Sequence, residues 1–438
     1  MTNCTPIQLE FPGFKRRKIQ ADFSGGHVTS DGGGCLLLRQ ADRRLGLLKQ
    51  VNRNLIDPRR KKSCDHDLLS LLRQRVYGLA LGYEDLNDHD ILRRDLALQT
   101  AAERDTELAS PSTLCRLENR ADRDMAWAIH RVMVEQFIKS FKRPPRKLIL
   151  DFDATDDAVH GRQEGRFFHG YYDSYCFLPL YVFCGDRLLV SYLRPSKIDA
   201  AKHAWAILAL LVKRLRQAWP KVRIVFRGDS GFCRYKMLSW CERNDVGYIA
   251  GLAKNKRVDA ESRQLRDRAQ VLFEKTGRKQ RLFGEVLYGA RTWKRKRRVI
   301  VKAEHSSKGA NPRYVVTNLD GDPQRLYDKL YCARGDMENR IKEQQLDLFA
   351  DRTSCHKWWA NQFRLSIASL AYTLIETIRR LALKGTELAR AQCGTIRLKL
   401  LKVGAVILKN TRRIRFLISS AYPCQRLFQR VAQRLDSS

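Results

Sequence analysis

What the chain lacks narrows its class first. Its 438 residues hold no apolar run long enough to span a bilayer. The longest, Ala204 to Val212, stops at Lys213, well short of the ~18 residues a spanning helix needs. No signal segment is visible at the N-terminus, so a cytoplasmic protein with no membrane partner is expected. The twelve cysteines include no C-x-x-C pair, and the nearest two stand eight apart. That excludes zinc-ribbon and zinc-finger spacing. Without a secretion signal, most cysteines should be small buried hydrophobes rather than disulfides. No H-E-x-x-H motif occurs, and His160, His169 and His203 are scattered. The glycines of Ser30-Asp31-Gly32-Gly33-Gly34 lack the Lys-Ser/Thr of a phosphate-binding loop, so they read as a turn before a helix near Cys35. Acidic residues are scarce: 47 Asp and Glu face 83 Lys and Arg, a net charge of +36. Such a surplus repels itself in a compact state unless a polyanion neutralises it. Nucleic acid is the expected partner, because neutralised phosphates release counterions, and an association with the nucleoid follows.

What is present suits a folded protein: 44% hydrophobic and 30% charged residues, in a chain too long for one ordinary core. Residues 1 to about 30 are irregular. The region 1–140 otherwise reads as helical, with apolar residues at helical spacing over stretches such as His66 to Leu81. Within it, Ser110-Pro111-Ser112-Thr113 starts a capped helix. That helix would present Thr113, Arg116, Asn119 and Arg120, types suited to a DNA major groove or to an ordinary surface helix.

Past Pro144-Pro145 the pattern changes. Lys147 to Asp153 reads as a buried strand, followed by strands Phe177 to Phe183 and Leu188 to Leu193. A helix at about Ala200 to Gln217, a strand Val222 to Phe226, a helix Cys233 to Asn244 and a strand Gly247 to Leu252 complete the series. An antiparallel meander feeding a parallel βαβ unit is the ribonuclease-H-like α/β arrangement. Three further strands, Leu282 to Tyr288, Arg298 to Ala303 and Tyr314 to Asn318, read as a small β-rich insertion at about 258–322. It carries the basic run Trp293-Lys294-Arg295-Lys296-Arg297-Arg298. Trp293 could stack on a nucleic-acid base or fill the insertion's core. The catalytic core is expected over 141–353. Residues 354–438 should be helical with a basic face, holding sixteen Lys/Arg against three Asp/Glu from Cys355 onward.

Three acidic motifs carry the chemistry. In Asp151-Phe152-Asp153 the two carboxylates share one face of a strand, where burial is costly unless they are paired or metal-bound. Asp229, between Gly228 and Ser230-Gly231, lies just past the carboxyl end of a strand, where α/β sheets gather ligands. Tyr331, Arg334 and Glu338 share one face if their segment is helical. Hard oxygen donors from separate elements suit Mg²⁺ or Mn²⁺, and a pair of such ions can stabilise both oxygens of a phosphoryl displacement. Arg334 could contact a phosphate, with Tyr331 beside it. Tyr171-Tyr172 reads as packing.

These stretches, together with His160 to Glu164, Phe168 to Tyr172, Val28 to Gly32 and Asn311 to Asn318, resemble bacterial insertion-sequence transposases of the DDE group, in the ribonuclease-H-like superfamily. The resemblance implies a β-strand insertion between the second Asp and the Glu. It implies that Asp153, Asp229 and Glu338 are catalytic and bind metal. Asp153 is preferred over Asp151, because the family's first Asp is commonly followed by x-Thr or x-Ser, here Ala154-Thr155. It further implies cutting of DNA at inverted-repeat ends, joining of the 3′ ends to target DNA, and a homodimer assembled on double-stranded DNA. One departure stands out: Gln345 occupies a position where related transposases often carry Lys. Lys342 and Arg340 could substitute, although neither lies on the same helical line. A metal-dependent nuclease on the same fold and a catalytically idle DNA-binding descendant are the alternatives.

Overall fold

The structure, a computed structural model, describes residues 9–14, 17–21 and 29–436. The irregular stretch expected up to about residue 30, including Val28 of the matching motif, lies largely outside those residues. Leu9–Phe14 and Arg17–Ala21 nevertheless pair as an antiparallel hairpin.

A nine-stranded sheet organises the chain. Its first five strands are β1 (Lys147–Ala154), β2 (Leu180–Cys184), β3 (Arg187–Tyr192), β4 (Arg223–Gly228) and β5 (Gly247–Leu252). They lie in the order β3-β2-β1-β4-β5. β1 to β3 form an antiparallel meander, while β1, β4 and β5 run parallel. This is the ribonuclease-H-like order expected. Leu148, Leu150 and Phe152 enter a core with Ile224, Phe226 and Leu208, which leaves Asp151 and Asp153 on the opposite pleat.

The strand expected over Phe177 to Phe183 is two elements, broken at Leu178-Pro179, because proline cannot donate to a ladder. Phe177 instead ends a strand of a separate three-stranded flap, built from Asp157–Ala158, Phe167–His169 and Ser174–Phe177. The helix expected from Ala200 begins at Ala204. The preceding loop is pinned by the buried Arg194, whose guanidinium donates to the carbonyls of Ala200 and Lys202 at 2.7 and 2.8 Å.

The expected insertion is not a separate sheet. After helices Lys256–Glu261 and Arg263–Thr276 come β6 (Gln280–Tyr288), β7 (Arg297–Ser306) and β8 (Arg313–Thr317). β8 pairs with β5, so these strands continue the central sheet at its open edge. Val299, Val301, Tyr314 and Val316 pack into the same core as β1, while Ile300 and Val315 pack on the other face.

The flanking regions also share one core. Leu37, Leu72, Ile129, Ile341, Phe363, Leu374, Ile396 and Val431 belong to a single apolar cluster, so no core boundary falls at residue 140 or 354. Glycines permit part of that closure. Gly33 and Gly34 donate to the carbonyls of Val403 and Leu401 at 2.8 and 3.1 Å, and a Cβ at Gly34 would collide with the Leu400 carbonyl. The C-terminal region is not wholly helical: Ala405–Lys409 and Ile414–Ile418 form a hairpin. The Asn410 side chain caps its turn by accepting from the Arg412 and Arg413 backbone at 3.0 and 2.9 Å.

Candidate active site

The carboxyl ends of β1 and β4 meet the helical segment that follows β8. Asp151 stands level with Arg227 on the adjacent parallel strand. The Arg227 guanidinium holds both Asp151 oxygens, with Nη2 at 2.7 Å from Oδ2. It also donates to the Leu330 carbonyl. Asp151 is therefore a buried partner of Arg227, tying β1, β4 and the segment after β8 together. Burial raises its pKa and Arg227 opposes the rise.

Asp153, two residues on, is free of that clamp. Its Oδ2 lies 3.0 Å from Arg334 Nη1, and its Oδ1 accepts from the Ala154 backbone at 3.0 Å. Burial pushes its carboxyl up to about 7; Arg334 opposes the rise, and Asp229 and Glu338 add to it. Asp229 begins a single turn, Ser230–Phe232, and accepts from the Gly231 backbone at 2.9 Å. The close approach behind it depends on Gly251 in β5. A Cβ there would sit 2.7 Å from the Tyr331 hydroxyl and 2.9 Å from the Ser230 nitrogen. Tyr331 thus lies against the turn that carries Asp229.

The segment bearing Tyr331, Arg334 and Glu338 is helical but changes pitch. It is π-helical over Leu326–Tyr331, tighter over Cys332–Arg334, α-helical over Gly335–Lys342 and π-helical again over Glu343–Asp347. Arg334 reaches Asp153 with one nitrogen and Glu338 Oε1, at 2.6 Å, with the other. It bridges two carboxylates that the sequence motifs already place in one site.

The donor set suits a hard cation: three carboxylates, one of them largely buried. The side chains as placed do not make a finished cage. Among the described residues no three acidic, histidine or cysteine groups stand together as a metal site, and Arg334 supplies the compensating charge. Asp153 and Glu338 fit a divalent ion in chemistry, with Arg334 as the group that must give way.

The other expected residues fall in different places. In the helix Pro111–Asn119, Thr113 accepts from Arg116 at 2.9 Å, and Asn119 donates back to the Cys115 carbonyl. The Arg120 guanidinium is partly desolvated near Arg59, which lowers its pKa. Of the basic run, Arg298 is held by Glu285 and by the carbonyls of Leu319 and Gly321. Trp293 packs edge-on to Tyr288 at 5.5 Å, with the Arg297 guanidinium 4.8 Å from its ring. By register, the turn Gly289–Lys296 lies beyond Arg297, at the end of the sheet where β5 begins. Asp153 and Asp229 lie at the opposite end, so Trp293 fills the insertion rather than the acidic site. Lys294 and Arg295 are exposed.

Gln345 does not face outward: its amide donates to the Asp156 carbonyl and to Asp157, at 2.9 and 3.0 Å. Arg340 is held by Asp186 and Glu343. Lys342, one α-helical turn past Glu338, is exposed, which corrects the expectation that it leaves Glu338's line. Among the histidines, His169 accepts from the Tyr171 backbone and His203 packs against Tyr192, while His160 is exposed.

Sequence reasoning missed the flap's exposed rings. Tyr171 is 85% exposed, not packed as expected, and Phe168 and Tyr175 are about half exposed. Tyr172 lies near Asp153 and Asp156, and burial and these charges push its hydroxyl up to about 12. The signal available was the aromatic density of Phe167 to Tyr175.

Sheet order and the placing of Asp153, Asp229 and Glu338 define a ribonuclease-H-like core with an acidic site at the ends of its parallel strands. Residues 11–438 match the family described as "Transposase DDE domain group 1", and the chain belongs to that family. Its members use divalent metal ions. Among solved structures the chain is similar to the piggyBac transposase synaptic complex with hairpin DNA, determined by cryo-EM. The identity is 12% and the TM-score 0.43, with 84% of this chain and 78% of that chain covered. No curated protein matches. Among the described residues no helix is long and apolar enough to cross a membrane.

Proposed function

We propose that the protein cuts DNA at the inverted-repeat ends of a mobile element and joins the freed 3′ ends to target DNA. The observation that carries this is the Asp153–Arg334–Glu338 bridge beside the Asp229 turn, inside a transposase-family chain. Asp153, Asp229 and Glu338 would hold two Mg²⁺ or Mn²⁺ ions, which when bound supply Lewis-acid activation of the attacking oxygen and charge neutralisation on the leaving one. Asp151 is excluded from that set by its commitment to Arg227. Arg334, released from the carboxylates, is placed to pair with a phosphate through its planar fork of donors. Lys342 adds a second cation beside Glu338. Tyr331 steadies the Asp229 turn through its contact at Gly251.

The exposed Tyr171 packs edge-on to Tyr172, which lies near Asp153, and would offer apolar surface to a DNA end. The surplus of 36 positive charges favours double-stranded DNA as partner, and a homodimer on paired ends would bring two sites to one target. Such a protein would work in the cytoplasm, at the nucleoid.

The test is cleavage of labelled end-containing duplex in Mg²⁺ by wild type and Asp229→Asn. Loss of cutting with DNA binding kept supports the reading. Cutting by the variant at a near-normal rate would falsify it. Joining of the cut ends to a target plasmid separates a transposase from a nuclease that only hydrolyses.

A further inference from the structure

A strongly basic cavity lies outside the carboxylate site, with none of Asp153, Asp229 and Glu338 in its lining. It has a volume of about 650 Å³ and sits between the helix Ala204–Ala218, the helix Tyr235–Arg243 and the turn before β7. Three rings form part of its wall: Trp205, 44% exposed, and the half-buried Tyr235 and Trp240. Lys236, Arg243 and Lys294 stand exposed around it. The one carboxylate of the lining, Glu242, is already neutralised: Arg295 Nη2 and Arg297 Nε each approach it at 2.7 Å, and the Tyr248 hydroxyl donates to it at 2.8 Å. Arg297 is 4% exposed, and its Nη1 is buried with no hydrogen-bond partner. A buried guanidinium nitrogen left unpaired is costly, and at the wall of a cationic cavity it calls for an anionic oxygen.

From this arrangement we propose a second nucleic-acid site, one that takes an unpaired nucleotide of a DNA strand. Its phosphate lies among Lys236, Lys294 and Arg297, and its base stacks on Trp205 or Trp240. The volume falls in the range of small-ligand pockets, enough for one nucleotide unit and too confined for a duplex. Base stacking on an indole tolerates any base, so the site reads the absence of pairing rather than sequence. It follows the helix Tyr235–Arg243 from just past the turn that carries Asp229 to the turn before β7, so it holds a strand passing along the outer face of the core.

The test uses the full-length Asp229→Asn protein, so that failure of the cutting reaction cannot disguise the result. Quenching of indole fluorescence and anisotropy are titrated with a labelled six-residue oligothymidylate, with a blunt duplex and with the matching oligouridylate. The single DNA strand is expected to quench, and Trp205→Ala is expected to weaken its binding about ten-fold. Lys236→Ala and Lys294→Ala are each expected to reduce the slope of log affinity against log salt by about 0.7. Unchanged melting temperatures establish that these exposed substitutions leave the fold intact. Wild-type affinity in Trp205→Ala overturns the proposal. So does a blunt duplex that quenches as strongly as the single strand, and so does an oligouridylate bound tighter than the DNA.

Discussion

Asp151 and Asp153 sit two residues apart on one strand face, yet their replacement by Asn should move stability in opposite directions. Asp151→Asn removes the charge that neutralises buried Arg227 and leaves that guanidinium with the Leu330 carbonyl alone. Breaking a buried ion pair by deleting one partner costs about 3–5 kcal/mol. At about 2–4 °C per kcal/mol for a core of this size, the melting temperature should fall by roughly 10 °C. Asp153 is different. Burial raises its carboxyl from 3.8 to about 7, so the folded state binds its proton more tightly than the unfolded state does. The resulting stabilisation is complete below the unfolded value near 4 and is lost as pH rises to about 7. A rise of that size is worth about 4 kcal/mol at most. The side chain's 15% exposure and its pairing with Arg334 bring the net gain in Asp153→Asn to about 1–2 kcal/mol at pH 8, vanishing near pH 4. The assay is thermal denaturation of the three proteins in EDTA across pH 4 to 8, repeated with Mg²⁺ at pH 8. Mg²⁺ should raise the wild type and leave Asp153→Asn unmoved. If Asp151→Asn melts with the wild type, or Asp153→Asn falls as far as Asp151→Asn, the division of labour between the two carboxylates is wrong.

Gly251→Ala drives a methyl against the Tyr331 hydroxyl and the Ser230 nitrogen. It should lower the DNA cleavage rate by about 10²-fold, the usual result of a misplaced catalytic group, while DNA affinity measured by anisotropy holds. His89 is fully buried beside Gln74 and Arg75, and its pKa is lowered to about 3, first by burial and then by Arg75. A folded value below the unfolded one means that stability present above pH 6.5 drains away as pH falls toward 3. The denaturant midpoint of His89→Gln should therefore lose less between pH 7 and 5 than that of the wild type; parallel curves would contradict this.

The five strands of the core were legible because each combines apolar alternation with a clear break, as Lys147 to Asp153 does. Asp153 and Asp229 stood out by their placement at strand ends, while Glu338 entered through its helix face shared with Tyr331 and Arg334 and through the family resemblance. Asp151's true partner was not, because Arg227 lies 76 residues away and only the β1–β4 register sets them side by side. The surroundings of Trp293 were hidden for the same reason: the route of β6 to β8 along the β5 edge, which sends its turn to the far end of the sheet, depends on pairing across distant segments. The π-helical turn Glu343–Asp347 turns Gln345 inward onto Asp157, which no fixed helical period anticipates, whereas Lys342 follows Glu338 by one ordinary α-helical turn. The C-terminal hairpin was hidden because Ala405 to Leu408 is too short to show a period among helical neighbours.

The most direct measurement is a Mn²⁺ titration followed by electron paramagnetic resonance, on the wild type and on Asp153→Asn, Asp229→Asn and Glu338→Gln, each with end-containing DNA. Two bound ions are expected in the wild type, with at least one lost or weakened by ten-fold or more in every variant. Equal Mn²⁺ binding by all four proteins would contradict a site shared by these three carboxylates.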